Sequence, residues 1–279
     1  MKFGIKTNTQ ETTWPDMLAM WRRADAIEAI ESAWVFDHFY PIQSDPNGPC
    51  LEGWTVLTAL AHDTNRLRVG SMVNGMPYRH PAVTANMAAA LDIISEGRLE
   101  LGLGAGWYEL EADAYGINLG ATVGERMDMF DEGVAAVVGL LSQEETTLAG
   151  EHVQLSSARN EPKGPQRPHP PIVIGGKGEK RTLRTVARWA DHWNTTRLTP
   201  EEWAHKRGVL EQHCADVGRD YSEILRSMVF RFDPDDMGEL RDRIEMFAEL
   251  GVQKAVIKMQ TPHDVRHVDL VGVLAESMA

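Results

Sequence analysis

Short apolar and β-branched runs alternate along this chain with longer stretches whose apolar positions recur at helical spacing. Residues 2–7 read as a first strand, and 13–27 as a helix with Thr13 at its N-cap and Pro15 in its first turn. The alternation continues through strand 32–39 with helix 53–64, strand 67–73 with helix 81–95, and strand 98–106 with helix 125–142 after a polar insertion. Residues 143–170 break the rhythm: TTLAGEHVQL predicts a hairpin, and the proline-rich NEPKGPQRPHPP an extended loop lying over the rest of the fold. The rhythm then resumes with strands 171–175, 192–195, 224–232 and 252–259, followed by helices 179–190, 200–217, 234–250 and 262–278.

Eight strand–helix pairs with no consecutive run of strands imply an all-parallel sheet, and that number favours a closed α/β (β/α)8 TIM barrel. The expected organisation is one domain, 1–279, with 143–170 inserted between the fourth helix and fifth strand. An open doubly wound sheet is the competing architecture. Its weakness is the first βα turn, TNTQET, which holds no glycine and so cannot be a dinucleotide fingerprint.

The 279-residue length suits one such barrel. A formal net charge of −13 argues against partners that need a broad basic face, nucleic acid and membrane surface among them, but leaves room for a small anionic ligand. The two cysteines, Cys50 and Cys214, are far apart and read as free thiols of a reducing compartment. The first residues, MKFGIK, carry no apolar signal segment, and no apolar run approaches a membrane span, so the expected location is cytoplasmic.

Active sites of such barrels sit where the strands end, which directs attention to four places. Asp37-His38 follows the second strand; its position alone fits a proton-transfer pair or a capped turn equally well. The third strand runs into Asn74-Gly75, a sequence ready to bulge or simply to turn. In GLGAGWY, residues 102–108, alternating glycines leave one strand face bare for a flat ligand or a close backbone, and Trp107 follows at the mouth. GGKGEKR, residues 175–181, is predicted to run directly into a helix, as a phosphate-binding turn would. His263 and His267 have i, i+4 spacing on the predicted last helix but no third ligand nearby, so they read as surface histidines and no metal is expected. Neither a GxSxG elbow nor a Walker loop occurs.

The segments WVFDHFYP, RLRVGSMVNGMPYRHPAVTANMAAALDIISEGRLELGLGAGWYELEADAYGI and PIVIGGKGEKRTLRTVARWADHWN together resemble the bacterial luciferase-like family of flavin- or deazaflavin-dependent oxidoreductases, essentially over the full chain. NEPKGPQRPHPPIVIGGKGEKRTLR is similar to the subgroup that uses the deazaflavin coenzyme F420. The resemblance implies hydride transfer between F420 and a small organic substrate. Its alternatives are an FMN-dependent monooxygenase and a non-catalytic flavin-binding protein. It also implies His38 as acid/base beside the reactive ring and Asp37 as a ring contact. Met72, Val73 and Asn74 would form a strand-three bulge, often with a non-proline cis peptide, and Ala105 and Gly106 would be contacts to the cofactor's chain. Gly175, Gly176, Lys177, Gly178, Glu179 and Lys180 would form the phosphate loop; charge alone, not the resemblance, suggests that the cofactor's acidic tail runs past Lys163, Arg167 or Lys180. Trp107 and Trp193 would line the substrate pocket. In the family's sugar-phosphate dehydrogenases a proton-donating Glu follows the strand-four glycine. Trp107 stands there instead, so that activity is not implied and a more apolar pocket is expected. Family members are often dimers, so a homodimer is the assembly the resemblance allows.

Overall fold

Strand segments as apolar as AWV, RVGS and IVIG must be covered on both faces, and a ring of helices around a closed parallel barrel does this. The computed structural model describes residues 1–278. Its barrel runs β1 (Lys2–Lys6), β2 (Ile30–Val35), β3 (Arg68–Ser71) continued by β4 (Asn74–Gly75), and β5 (Leu99–Gly104). A hairpin, β6 (Thr146–Ala149) and β7 (Gln154–Ala158), intervenes before β8 (Ile172–Gly175), β9 (His192–Thr196), β10 (Leu225–Arg231) and β11 (Lys254–Lys258). Parallel pairings link β1–β2–β3–β5–β8–β9–β10–β11, and β11 pairs with β1 to close the barrel. The covering helices are α1 (Trp14–Asp25), α2 (Gly53–Asp63), α3 (Pro81–Ile94), α4 (Glu109–Tyr115), α5 (Val123–Ser142), α6 (Thr182–Trp189), α7 (Pro200–Asp216), α8 (Met237–Glu249) and α9 (Arg266–Ser277).

Strand alternation sorts side chains into two layers. Ile5, Phe230 and Ile257 pack outward against the helices, while Trp34, Met72, Val173 and Val256 form a separate small cluster inside the barrel. At the barrel's N-terminal end this inner layer becomes ionic. Glu100 there meets Arg68 Nε at 2.7 Å, His192 Nδ1 at 3.2 Å and Lys254 Nζ at 3.5 Å. His192 also meets Ser227 Oγ at 2.6 Å, which completes the polar plug.

The bulge predicted after the third strand is present: β3 and β4 both pair with β5, and the Met72–Val73 peptide between them is cis. Glycine at 102 is what lets the bulged backbone come so close, because a Cβ there would stand 1.9 Å from the Ser71 carbonyl oxygen. Gly102→Ala is therefore expected to destabilise the barrel by about 1–3 kcal/mol through overpacking, measurable by chemical denaturation.

Several expectations need correction. The segment after β5 is not wholly irregular: α4 occupies it, its helical pattern masked by a run of acidic residues. The proline-rich stretch, expected only to lie over the barrel, lies at the end opposite the mouth, where Gln166 bonds Asp92, the Leu99 carbonyl and Arg68. That places Lys163 and Arg167 far from any mouth ligand; they line a hollow of about 460 Å³ with Ile93 and Glu96 instead. The sixth helix starts at Thr182, so residues 176–181 are loop and turn. His263 precedes the last helix and is buried, bonded to the carbonyls of Gln260 and Asn8.

Candidate active site

The loop after β2 carries His38 to the C-terminal mouth. Phe36, Tyr78, Trp107 and Tyr108 surround its ring, with centroids 5.1 to 6.3 Å away. Its Nδ1 lies 2.5 Å from Oε1 of Glu111, a fully buried carboxylate on α4. The other carboxylate oxygen accepts the backbone N–H groups of Phe39 at 2.8 Å and Tyr40 at 3.2 Å, and the Tyr78 hydroxyl donates to Oε1. Burial alone would raise the Glu111 carboxyl, but the bonds from His38, Tyr78 and Phe39 outweigh it and hold it below the usual range. An ionised Glu111 can only accept, which fixes the proton on Nδ1 and leaves Nε2 as the working nitrogen. Among the described residues Nε2 has no hydrogen-bond partner.

Glu111 was not among the residues singled out from sequence. The available signal was one carboxylate on the buried face of a short helix whose other acids, Glu109 and Asp113, are exposed, and it was invisible while that helix went unrecognised.

Asp37 is placed differently from the expected ring contact. Its carboxylate makes a bidentate pair with Arg79, at 2.7 and 3.0 Å, and accepts the Gly75 N–H at 3.3 Å. Arg79 in turn reaches Glu52 at 2.7 Å. Asp37 therefore pins the β2 loop to the bulge, because a carboxylate this buried must spend its oxygens on nearby donors.

The bulge forms one side of a cradle at the mouth. Val73 rises half-buried from it and packs over two glycines of the facing strands, where a Cβ on Gly104 would lie 2.6 Å from Val73 Cγ2 and one on Gly175 3.0 Å. Asn74 donates to the Gly102 carbonyl at 2.6 Å, while its own buried Oδ1 is left without a partner. Ala105 is half-buried beside it, and Gly106 takes a φ of +77°, which turns Trp107 out to the rim at 56% exposure.

Beyond β8, Gly176 adopts a φ of +135°, open to glycine alone, and no side chain caps the start of α6. Backbone amides there can receive an anion. Lys177 and Lys180 are exposed on this loop, and Lys177 Nζ touches the Arg197 carbonyl at 3.3 Å. Glu179 does not face this cradle; Lys206 and His205 on α7 hold its carboxylate. Trp193 is likewise not in the pocket. The register puts His192 and Asn194 inside the barrel and turns Trp193 outward, where it stacks on Trp203 at 4.9 Å and donates to the Gly176 carbonyl at 2.8 Å. It thereby buttresses the loop from behind.

A family model for luciferase-like monooxygenases matches residues 1–253. The chain belongs to the luciferase-like monooxygenase family. Among its relatives in this oxidoreductase family is an uncharacterized protein of Mycobacterium tuberculosis, 31% identical over 75% of this chain and 70% of its own. A phthiodiolone/phenolphthiodiolone dimycocerosates ketoreductase of Mycobacterium kansasii is 30% identical over 80% of this chain, although only 61% of the ketoreductase is covered. A solved F420-dependent secondary alcohol dehydrogenase, bound to an F420–acetone adduct, shares 20% identity and a TM-score of 0.88 over 100% of this chain and 99% of its own. At that identity the likeness speaks for the luciferase-like fold alone. Among the described residues no helix is long and apolar enough to cross a membrane.

Proposed function

We propose that this luciferase-like protein is an F420-dependent oxidoreductase that interconverts a small alcohol and its carbonyl counterpart. The observation that carries the reading is a histidine with a fixed tautomer and a free Nε2, set at the mouth of the barrel where the Val73 bulge also stands. The alcohol–carbonyl chemistry is suggested by the secondary alcohol dehydrogenase and the ketoreductase among its likenesses.

The residues present fit a deazaflavin: the half-buried Val73 bulge as a support for the ring, the unpaired Asn74 Oδ1 for a ring N–H, and the amides and lysines of residues 175–180 for a phosphate. When bound, such a cofactor supplies a two-electron hydride carrier, and the protein's share is orientation and proton handling. His38 Nε2 receives the hydroxyl proton as an alcohol is oxidised, and returns it to the carbonyl oxygen in the reverse direction. Glu111 balances the imidazolium formed in the first case and keeps the ring from turning. Tyr78 and the two backbone amides hold Glu111 itself in place. The collar of Phe36, Trp107 and Tyr108 limits water around Nε2.

Fluorescence titration with oxidised F420 and with FMN in parallel tests the reading. The expected result is a Kd for F420 at least about tenfold below that for FMN, a difference of about 1.4 kcal/mol. Preference for FMN would turn the assignment toward the oxygen-using monooxygenases of the same family.

A further inference from the structure

We propose that the wall of the mouth formed by β1, β10 and β11 is a subsite for an anionic group, a carboxylate or a phosphate, carried by the organic substrate. This rests on the reading above for the identity of the reaction, and on the following geometry for the charge.

Lys6 and Lys258 are register partners across β1 and β11, and Arg231 and Lys258 across β10 and β11. Three cations therefore occupy one layer on three adjacent strands, about 4.8 Å apart from strand to strand. Alternation fixes the face they share. Val229 and Val256, two residues before Arg231 and Lys258, belong to the cluster inside the barrel. Gly4, two before Lys6, also faces inward, since a Cβ on it would strike Ser32 Oγ and Trp34 Nε1. All three cations thus point into the mouth, at the last inward layer before the strands end.

Like charges opposed on one face of a sheet repel, and here no ion pair offsets them among the described residues. Among the described residues, no carboxylate lies within 4.0 Å of Lys6, Lys258, Arg231 or the neighbouring Arg197. The contrast with the other end of the barrel is sharp, for the buried Lys254 there has Glu100. Burial first, then the charge of Lys258, pushes the Lys6 ammonium down to about 7. Burial, Arg197 and Arg231 lower Lys258 to about 8. A chain with a net charge of −13 has ample acid to neutralise such a wall, yet leaves it bare. An anionic ligand group within about 4–6 Å of these cations would relieve the repulsion and favour their charged forms.

The wall is also in the right place for substrate. It stands across the mouth from the Val73 bulge, while the phosphate loop rises on β8, separated from β10 by β9. His38 follows β2, the neighbour of β1, so the candidate acid/base and the wall stand on adjacent strands.

Lysine-selective 13C NMR of the cofactor-free protein tests the proposal, with Lys6→Met and Lys258→Met assigning the two signals and Lys6→Arg as a second assignment variant. Titrations are run without added anion, with acetate, and with inorganic phosphate. The Lys6 midpoint is expected to rise by about one unit or more when an anion fills the subsite, the range for an opposite charge within about 4–6 Å. A greater response to phosphate than to acetate assigns a phosphorylated substrate, and the reverse a carboxylate. A midpoint unmoved by either anion overturns the proposal. So does F420 alone raising the Lys6 midpoint by the same amount, because the wall would then serve the cofactor. Failure of F420 to bind, read separately by its fluorescence, removes the cofactor assignment while a persisting lysine response sustains the anion subsite.

Discussion

Glu100→Gln is expected to cost the barrel about 3–5 kcal/mol of unfolding free energy, the usual penalty for breaking one side of a buried ion pair. The substitution keeps the volume but takes the charge from a site that Arg68, His192 and the almost wholly buried Lys254 all share. Lys254 would then be a buried cation with only the face of Trp34, 5.7 Å away, for company. Chemical denaturation at neutral pH measures the loss, and a change below about 1 kcal/mol would refute the assignment. The pH dependence has a definite sign. Burial would raise the Glu100 carboxyl, but Lys254, His192 and Arg68 pull it well below its ordinary 4.5. Its contribution is therefore complete above about pH 4.5 and fades as pH falls toward the lower folded value. His192, lowered by burial, acts in the same direction from about pH 6.5 downward, because the unfolded chain then binds a proton the folded one refuses. The variant should therefore lose less stability than wild type as pH falls below about 4.5, since its other lowered carboxylates still titrate.

The second large effect concerns rate. His38→Ala should lower kcat for alcohol or carbonyl turnover by about 10²–10⁴-fold, the range for losing a positioned acid/base. Affinity for F420 should stay within about threefold, because the cradle at Val73 and the loop after β8 are built from other elements. A parallel collapse of F420 binding would recast His38 as a packing residue. Full retention of kcat would mean that the proton travels by another route.

Much of this could be read from the chain. The alternation of strand and helix patterns exposes the barrel, and TTLAGEHVQL its hairpin, because local periodicity and turn chemistry decide both. His38 came to attention for a related reason, since the loops that follow the strands of this architecture form the mouth, although its role came from the family resemblance. What escaped depends on information spread across the fold. Trp193 looked like a pocket residue because the face a side chain takes follows from register, and one residue of parity reverses it. Glu179 and Asp37 were sought by a ligand on the strength of position, but each lies within reach of cations on another element. The cationic wall could not be seen at all from local sequence. Lys6, Arg231 and Lys258 are far apart in the chain, and only closure of the barrel brings them side by side.

The ten residues from Trp107 to Gly116 tie together two properties that an enzyme designer would wish to vary separately. They supply both the indole and phenol rings that a substrate would brush against and the acid that dictates which nitrogen of the imidazole stays protonated. Grafting a new version of this segment to admit a bulkier guest would also rewire the proton relay. Selectivity and basicity are inherited as one package, and successful redesign would have to carry the Glu111–Tyr78 contact across intact.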